Sequence, residues 1–308
     1  MTRLRARAEE YLTMRRGLGY KLESTGRLLL QFIDFLERAG ASTLTTELAL
    51  AWARQPATAE PAWWARRLSV VRCFARHLHT LDPATEVPPA DLLPAPYRRK
   101  APHLYTEQDI AALVHATCYL TDPLQAATFH ALIGLLAVTG IRVGEAVALS
   151  RGDVDLAAGT LTIVKSKRDG ARRLPLHPST VTALRDYTRR RDQLLGPRAG
   201  VGTFFVSSTG GRLSVSKVDA VFARLLFQAG IRPTPGRRPP RVHDLRHSFT
   251  VAALLHWYRA GADVPALLPS LSTYLGHVAP ASTYWYLEAA PELLAVAAER
   301  LEHDLQEP

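Results

Sequence analysis

Over the first eighty residues apolar side chains recur every three to four positions, the spacing of helices that bury one face. Leu4, Ala8, Tyr11 and Leu12 share one such face, and Leu28, Leu29, Phe32, Phe35 and Leu36 share a second, which stops at Gly40. Thr45 or Thr46 caps a third helix carrying Leu48, Leu50 and Trp52. Pro61 suits the first turn of a fourth, with Trp63, Trp64, Leu68, Val71, Phe74, Ala75 and Leu78 inward. Arg66, Arg67, Arg72 and Arg76 on that helix suit either phosphates or a solvated face.

The pattern collapses between Leu81 and Pro102, where Pro83, Pro88, Pro89, Pro94, Pro96 and Pro102 forbid a continuous helix and favour extended chain. This divides the chain into a helical domain (1–82), a proline-rich linker (83–103) and a second domain (104–308). The second opens on Thr106, a cap followed by Glu107 and Asp109 at the positive end of a helix. A helix over 123–138 stops at Thr139-Gly140, and another starts near Val143. Residues 161–164 and 172–176 read as strands paired across a turn containing Asp169-Gly170, with 203–206 as a third strand. Helices are expected near 178–194, 216–229, 245–260, 264–274 and 291–303. The fold class is therefore mainly α, with a small antiparallel β-sheet in the C-terminal, α+β domain.

Composition narrows the function. The 308 residues are 47% hydrophobic and 21% charged, a globular balance suited to two domains. The most apolar stretch, 129–149, carries His130, Arg142 and Glu145, so no membrane span is expected. The N-terminus lacks a signal-peptide pattern, and Cys73 and Cys118 alone make no disulfide framework or zinc site, which fits a reducing cytoplasm. Lys and Arg number 38 against 28 acids, giving +10 and favouring polyanionic partners. Basic residues gather where chain turns: Arg98, Arg99 and Lys100 in the linker, Lys165, Lys167 and Arg168 in the hairpin turn, and Arg237, Arg238 and Arg241 in a loop. No GxxxxGK[ST] loop or carboxylate cluster suited to paired magnesium ions is present, so neither cofactor nor metal is expected.

Four separate stretches carry chemistry. In Thr139-Gly140-Ile141-Arg142-Val143-Gly144-Glu145 a helix break places a guanidinium beside free backbone amides, and Glu145 shares its helical face. A Lys on the hairpin turn can reach into a cleft and donate a proton. In His243-Asp244-Leu245-Arg246-His247, His243, Arg246 and His247 share a face at i, i+3 and i+4. The intervening Arg repels a cation, so converging donors to an oxyanion fit better than zinc. The last stretch is Tyr274-Leu275-Gly276-His277 followed by Ser282-Thr283-Tyr284-Trp285-Tyr286.

In this order, the TGIRxGE segment, the hairpin Lys before an RxLPL-like strand, HDLRH, LGH and a Tyr nine residues later resemble the tyrosine recombinase/integrase family. The resemblance covers about 104–303 closely and the helical front half more loosely, where it looks like that family's core-binding domain. The Thr283–Leu287 ending looks most like integrases of bacterial transposons and plasmids. The resemblance implies a site-specific recombinase that breaks and rejoins DNA through a 3′-phosphotyrosyl intermediate. Tyr286 would be the nucleophile. Arg142 and Arg246 would clamp the phosphate, His243 and His277 would assist proton transfer, and Glu145 and His247 would support the clamp. The lysine that protonates the leaving group would be Lys167, counted back from Pro175, with Lys165 as the alternative. Double-stranded DNA sites would be the partner, bound by a protein monomeric when free and tetrameric on paired sites, within the cytoplasm at the nucleoid. A type IB topoisomerase and a catalytically inactive DNA-binding relic are the competing readings.

Overall fold

The computed structural model describes residues 2–94, 101–164, 171–196, 202–276 and Leu293, and the chain divides into two compact units at 99/100. The first is helical: α1 (Arg3–Gly17), α2 (Glu23–Arg38), α3 (Thr46–Arg54) and α4 (Pro61–His79). Thr2 and Thr45 cap α1 and α3 by accepting from Arg5 N and Leu48 N, and Pro61 starts α4. Their stripes meet in a core of Ala8, Leu12, Phe32, Ile33, Leu36, Trp52, Leu68, Val71 and Phe74.

Two expectations for α4 fail. Trp63 lies on the exposed side, with the Arg66 guanidinium 5.7 Å from its ring centre. Arg67, in contrast, is buried: its guanidinium lies 3.7 Å from the Trp52 ring centre and donates to the Trp52 carbonyl at 2.8 Å. The inward stripe therefore begins one residue later than the aromatics suggest. Arg72 also has work within the unit, donating to the Pro88 and Pro89 carbonyls at 2.7 Å each. Together with Glu86, whose amide donates to the Leu44 carbonyl, and buried Leu93, this ties much of the proline-rich segment to the first unit.

The second unit contains α5 (Glu107–Ala116), α6 (Pro123–Thr139), α7 (Val143–Ala148), strands β1 (Val154–Asp155), β2 (Thr160–Val164) and β3 (Ala171–Pro175), then α8 (Pro178–Leu195), α9 (Val215–Gln228), α10 (Asp244–Arg259) and α11 (Val264–Leu275). Helix α6 is apolar almost all round and runs through the core, which is why it shows no single stripe. The sheet is antiparallel in the order β1-β2-β3, and Leu161 opposite Leu174 and Ile163 opposite Arg172 form its inner face.

The third strand is Val154–Asp155 rather than 203–206. Thr203 and Val206 make only isolated bridges, to Ser150 and Arg212, and all four residues from 203 to 206 are buried. A segment covered on both sides has no period-2 signature, so its apolar run marks the core and not a ladder. The helix expected over 291–303 lies outside the described residues except for Leu293, which is helical and packs with Val251, Leu254, Val264 and Leu268. Among the described residues no helix is long and apolar enough to cross a membrane.

Candidate active site

Two glycines shape the site. Gly140 ends α6 and Gly276 ends α11, both left-handed at φ +60° and +68°. A Cβ on Gly140 would stand 2.4 Å from Phe249 Cδ1, and one on Gly276 would stand 2.6 Å from Arg172 Nη1. Each position thus needs glycine for its backbone angle and for its close neighbour.

The carbonyls exposed where these helices stop carry the negative ends of the helix dipoles. Arginines from three other elements hold them. Arg246, in the first turn of α10 and only 2% exposed, donates to the Gly140 and Leu275 carbonyls at 2.8 Å each. Arg142, the N-cap of α7, donates to the Gly276 carbonyl at 3.0 Å and to that of Leu275 at 3.5 Å. Arg172 on β3 donates to the Tyr274 carbonyl at 2.8 Å. Three consecutive peptide oxygens, 274 to 276, are therefore each engaged by a guanidinium.

One carboxylate serves this cluster. Glu145 accepts from the Arg142 amide (2.9 Å) and Nη1 (3.0 Å), and from Arg172 Nη1 (3.0 Å) and Nη2 (2.8 Å). Burial would raise its pKa; the hydrogen bonds from Arg172 and the Arg142 amide, with both cationic charges, reverse this and hold it below the ordinary carboxylate value. Among the described residues, three guanidiniums meet one carboxylate in this group, the positive excess that an anion site requires.

His243 precedes Arg246 by one turn, and its ring meets that of His247 edge-on at 5.0 Å between centres. Burial, then the positive charges of Arg246, Arg241 and Arg142, push its pKa down to about 4. The imidazole is thus neutral at pH 7, with a ring nitrogen that can accept a hydrogen bond. Between the two histidines, fully buried Asp244 pairs with the Arg238 guanidinium and accepts from the Arg241 amide at 2.9 Å, and its carboxylate lies 4.0 Å from His247 Nε2. This anchors the start of α10 from the loop before it.

Arg142, Glu145, His243, Arg246 and His247 thus come together from two segments about a hundred residues apart. Lys165, Lys167, Arg168, Arg98, Arg99, Lys100, His277 and Tyr286 lie outside the described residues. Arg172 and the Arg238–Asp244 pair were not singled out by sequence. A signal for Arg172 existed: alternation along β3 places it on the same inner face as Leu174 and Leu176, where an arginine needs a partner.

Residues 104–292 match the phage integrase family. Over 307 residues, 98% of either chain, the sequence is 45% identical to a putative integrase/recombinase, y4rB, of Sinorhizobium fredii (strain NBRC 101917 / NGR234). It is 31% identical over 225 residues to the tyrosine recombinase XerC of Roseiflexus sp. (strain RS-1), covering 72% of this chain and 66% of that one. Among solved structures, the Tn1549 transposon integrase in complex with a circular intermediate DNA superposes with a TM-score of 0.65 at 16% identity, over 96% of this chain and 99% of that one. The chain belongs to the phage integrase family, the tyrosine recombinases that cleave and rejoin DNA in site-specific recombination.

Proposed function

We propose that the protein is the integrase of a mobile element, cutting and resealing DNA through a 3′-phosphotyrosyl link to Tyr286. The observation that carries this reading is the pair of guanidiniums from Arg142 and Arg246, meeting at the Leu275 carbonyl beside a neutral His243. A phosphodiester resists attack because its negative charge repels nucleophiles. Two fixed cations offset that charge and favour the pentavalent state over the ground state.

In the reaction, Tyr286 loses its proton to a neutral imidazole of the site, His243 being the candidate. Its oxygen then bonds to phosphorus as the bond to the 5′-oxygen breaks. That oxygen takes a proton from Lys167 or Lys165, with His277 donating a hydrogen bond to the phosphate. Reversal by a 5′-hydroxyl from a second duplex restores the diester and frees the tyrosine, so no ATP is consumed. The helical domain (1–82) and catalytic domain (104–308) close on duplex DNA, with Arg98, Arg99, Lys100 and Arg168 on its phosphates. Four protomers on two paired sites complete exchange at the nucleoid. The family membership, the relative named as an integrase/recombinase and the transposon integrase of like fold support this reading.

Nicked duplexes tiled across the DNA flanking the gene test it. In EDTA the wild type should trap a covalent protein–DNA adduct at a defined site, and Tyr286→Phe should trap none. An adduct with Tyr286→Phe, or none with wild type, would defeat the assignment. Relaxation of plasmids lacking that site would favour a topoisomerase instead.

A further inference from the structure

Arg172 is 9% exposed by side chain, and its three nitrogens all have partners. Nη1 and Nη2 grip the two oxygens of Glu145, while Nε turns to the carbonyl of Tyr274. Only a planar fork can make a paired carboxylate grip and a third bond in another direction; an ammonium cannot. The guanidinium also lies 2.6 Å from where a Cβ on Gly276 would stand, so a side chain there would have to displace it. Arg172 therefore joins the hairpin to the end of α11 and, through Glu145, to the start of α7.

Each Glu145 oxygen is bonded to both arginines: Oε1 to the two Nη1 atoms, Oε2 to Arg172 Nη2 and the Arg142 amide. Without Arg172 the half-buried carboxylate would lose two of these four bonds and one of two countercharges. Its remaining attraction would act on Arg142 alone and draw that guanidinium off the Leu275 and Gly276 carbonyls. We infer that Arg172 is a positioning residue for strand cleavage: it fixes Glu145 and the α11 terminus together, so that Arg142 faces the phosphate. The inference rests on Arg142 being a phosphate clamp, as proposed above.

The test uses the full-length protein and a nicked duplex that the wild type cleaves. Cleavage rate at saturating DNA, DNA affinity and melting temperature are measured for Arg172→Met, Arg172→Lys and Glu145→Gln, and for the Arg172→Met/Glu145→Gln double variant. Arg172→Met should slow cleavage about 10- to 100-fold, the scale of a misplaced reacting group, while affinity stays within about threefold because one indirect contact is a small share of the total. Arg172→Lys, which keeps the charge but not the fork, should recover less than a tenth of the wild-type rate. Glu145→Gln should slow the wild type markedly and the Arg172→Met protein by less than about threefold, since both break one linkage. Cleavage by Arg172→Met at the wild-type rate, a parallel fall in affinity and rate, or multiplicative effects of the two substitutions would overturn the inference. If Arg172→Met does not fold, Arg172→Lys decides by the same split between rate and affinity. A wild type that forms no adduct on any duplex removes the clamp reading itself, and the inference with it.

Discussion

Arg142 and Arg246 stand at the starts of two helices that meet at one carbonyl, yet the two starts are built in opposite ways. Arg246 is 2% exposed and donates to the peptide oxygens of Gly140 and Leu275. The Arg142 side chain is 38% exposed and shares Glu145 with Arg172. A carboxylate neutralises the cation it holds, whereas a carbonyl holds it by a dipole and leaves its charge intact. Arg246 is thus the buried member, held on the chain itself, and Arg142 the more exposed one, whose strength depends on what else draws on Glu145.

If this contrast is sound, Arg246→Ala should have the largest effect. Cleavage of the nicked duplex should fall roughly 10²- to 10³-fold, the scale for one removed transition-state donor, with DNA affinity falling less than about tenfold. The Gly140 and Leu275 carbonyls left behind should also cost about 1–3 kcal/mol of stability, visible in urea melts. An equal loss of affinity and cleavage would break the comparison. Arg142→Ala should be next, at about 10²-fold in cleavage, with little change in melting because this residue is half in solvent. Larger destabilisation from Arg142→Ala than from Arg246→Ala would reverse the two roles.

Gly140→Ala probes the seat of Arg246 without touching its charge. The left-handed backbone costs an alanine roughly 1–2 kcal/mol, and overlap with Phe249 adds to that. A loss of about 2 kcal/mol or more in denaturant melts is expected, and a neutral substitution would show that the α6 end adapts.

The smallest effects are those of acid. His243 has a folded pKa near 4 against an ordinary 6.5. Above pH 6.5 it is neutral in both states; between 6.5 and about 4 the unfolded chain takes up a proton that the folded chain refuses, so stability falls. His243→Asn should flatten that part of the profile. Glu145, whose folded pKa is depressed, contributes stability above its ordinary 4.5 that is lost as pH falls further, through its folded value. Glu145→Gln should remove only this lower limb. Melts between pH 7.5 and 3.5 separate the two.

Local chemistry made much of this architecture readable. Thr106 with Asp109, Pro123, and Gly140 before Arg142 mark helix ends by capping, a fixed φ and left-handed geometry, and the helices begin and stop there. Glu145 was readable beside Arg142 because three residues along a helix is a neighbour. The link from Arg172 to Tyr274 spans 102 residues and ends on a backbone oxygen, which no side-chain pattern announces. The strand misassigned to 203–206 and the inward placement of Trp63 fail for one reason: apolar content reports burial, or its likelihood, without saying which partner or which side provides it.

Fixing three arginines on the backbone oxygens of residues 274 to 276 has a consequence for how the enzyme responds to its surroundings. Amide oxygens take up no proton at any acidity the fold survives, and they exchange with no buffer ion. The two carbonyl contacts of Arg246 are thus indifferent to the chemistry of the medium, and a shift of the chain path at the ends of α6 or α11 would loosen them.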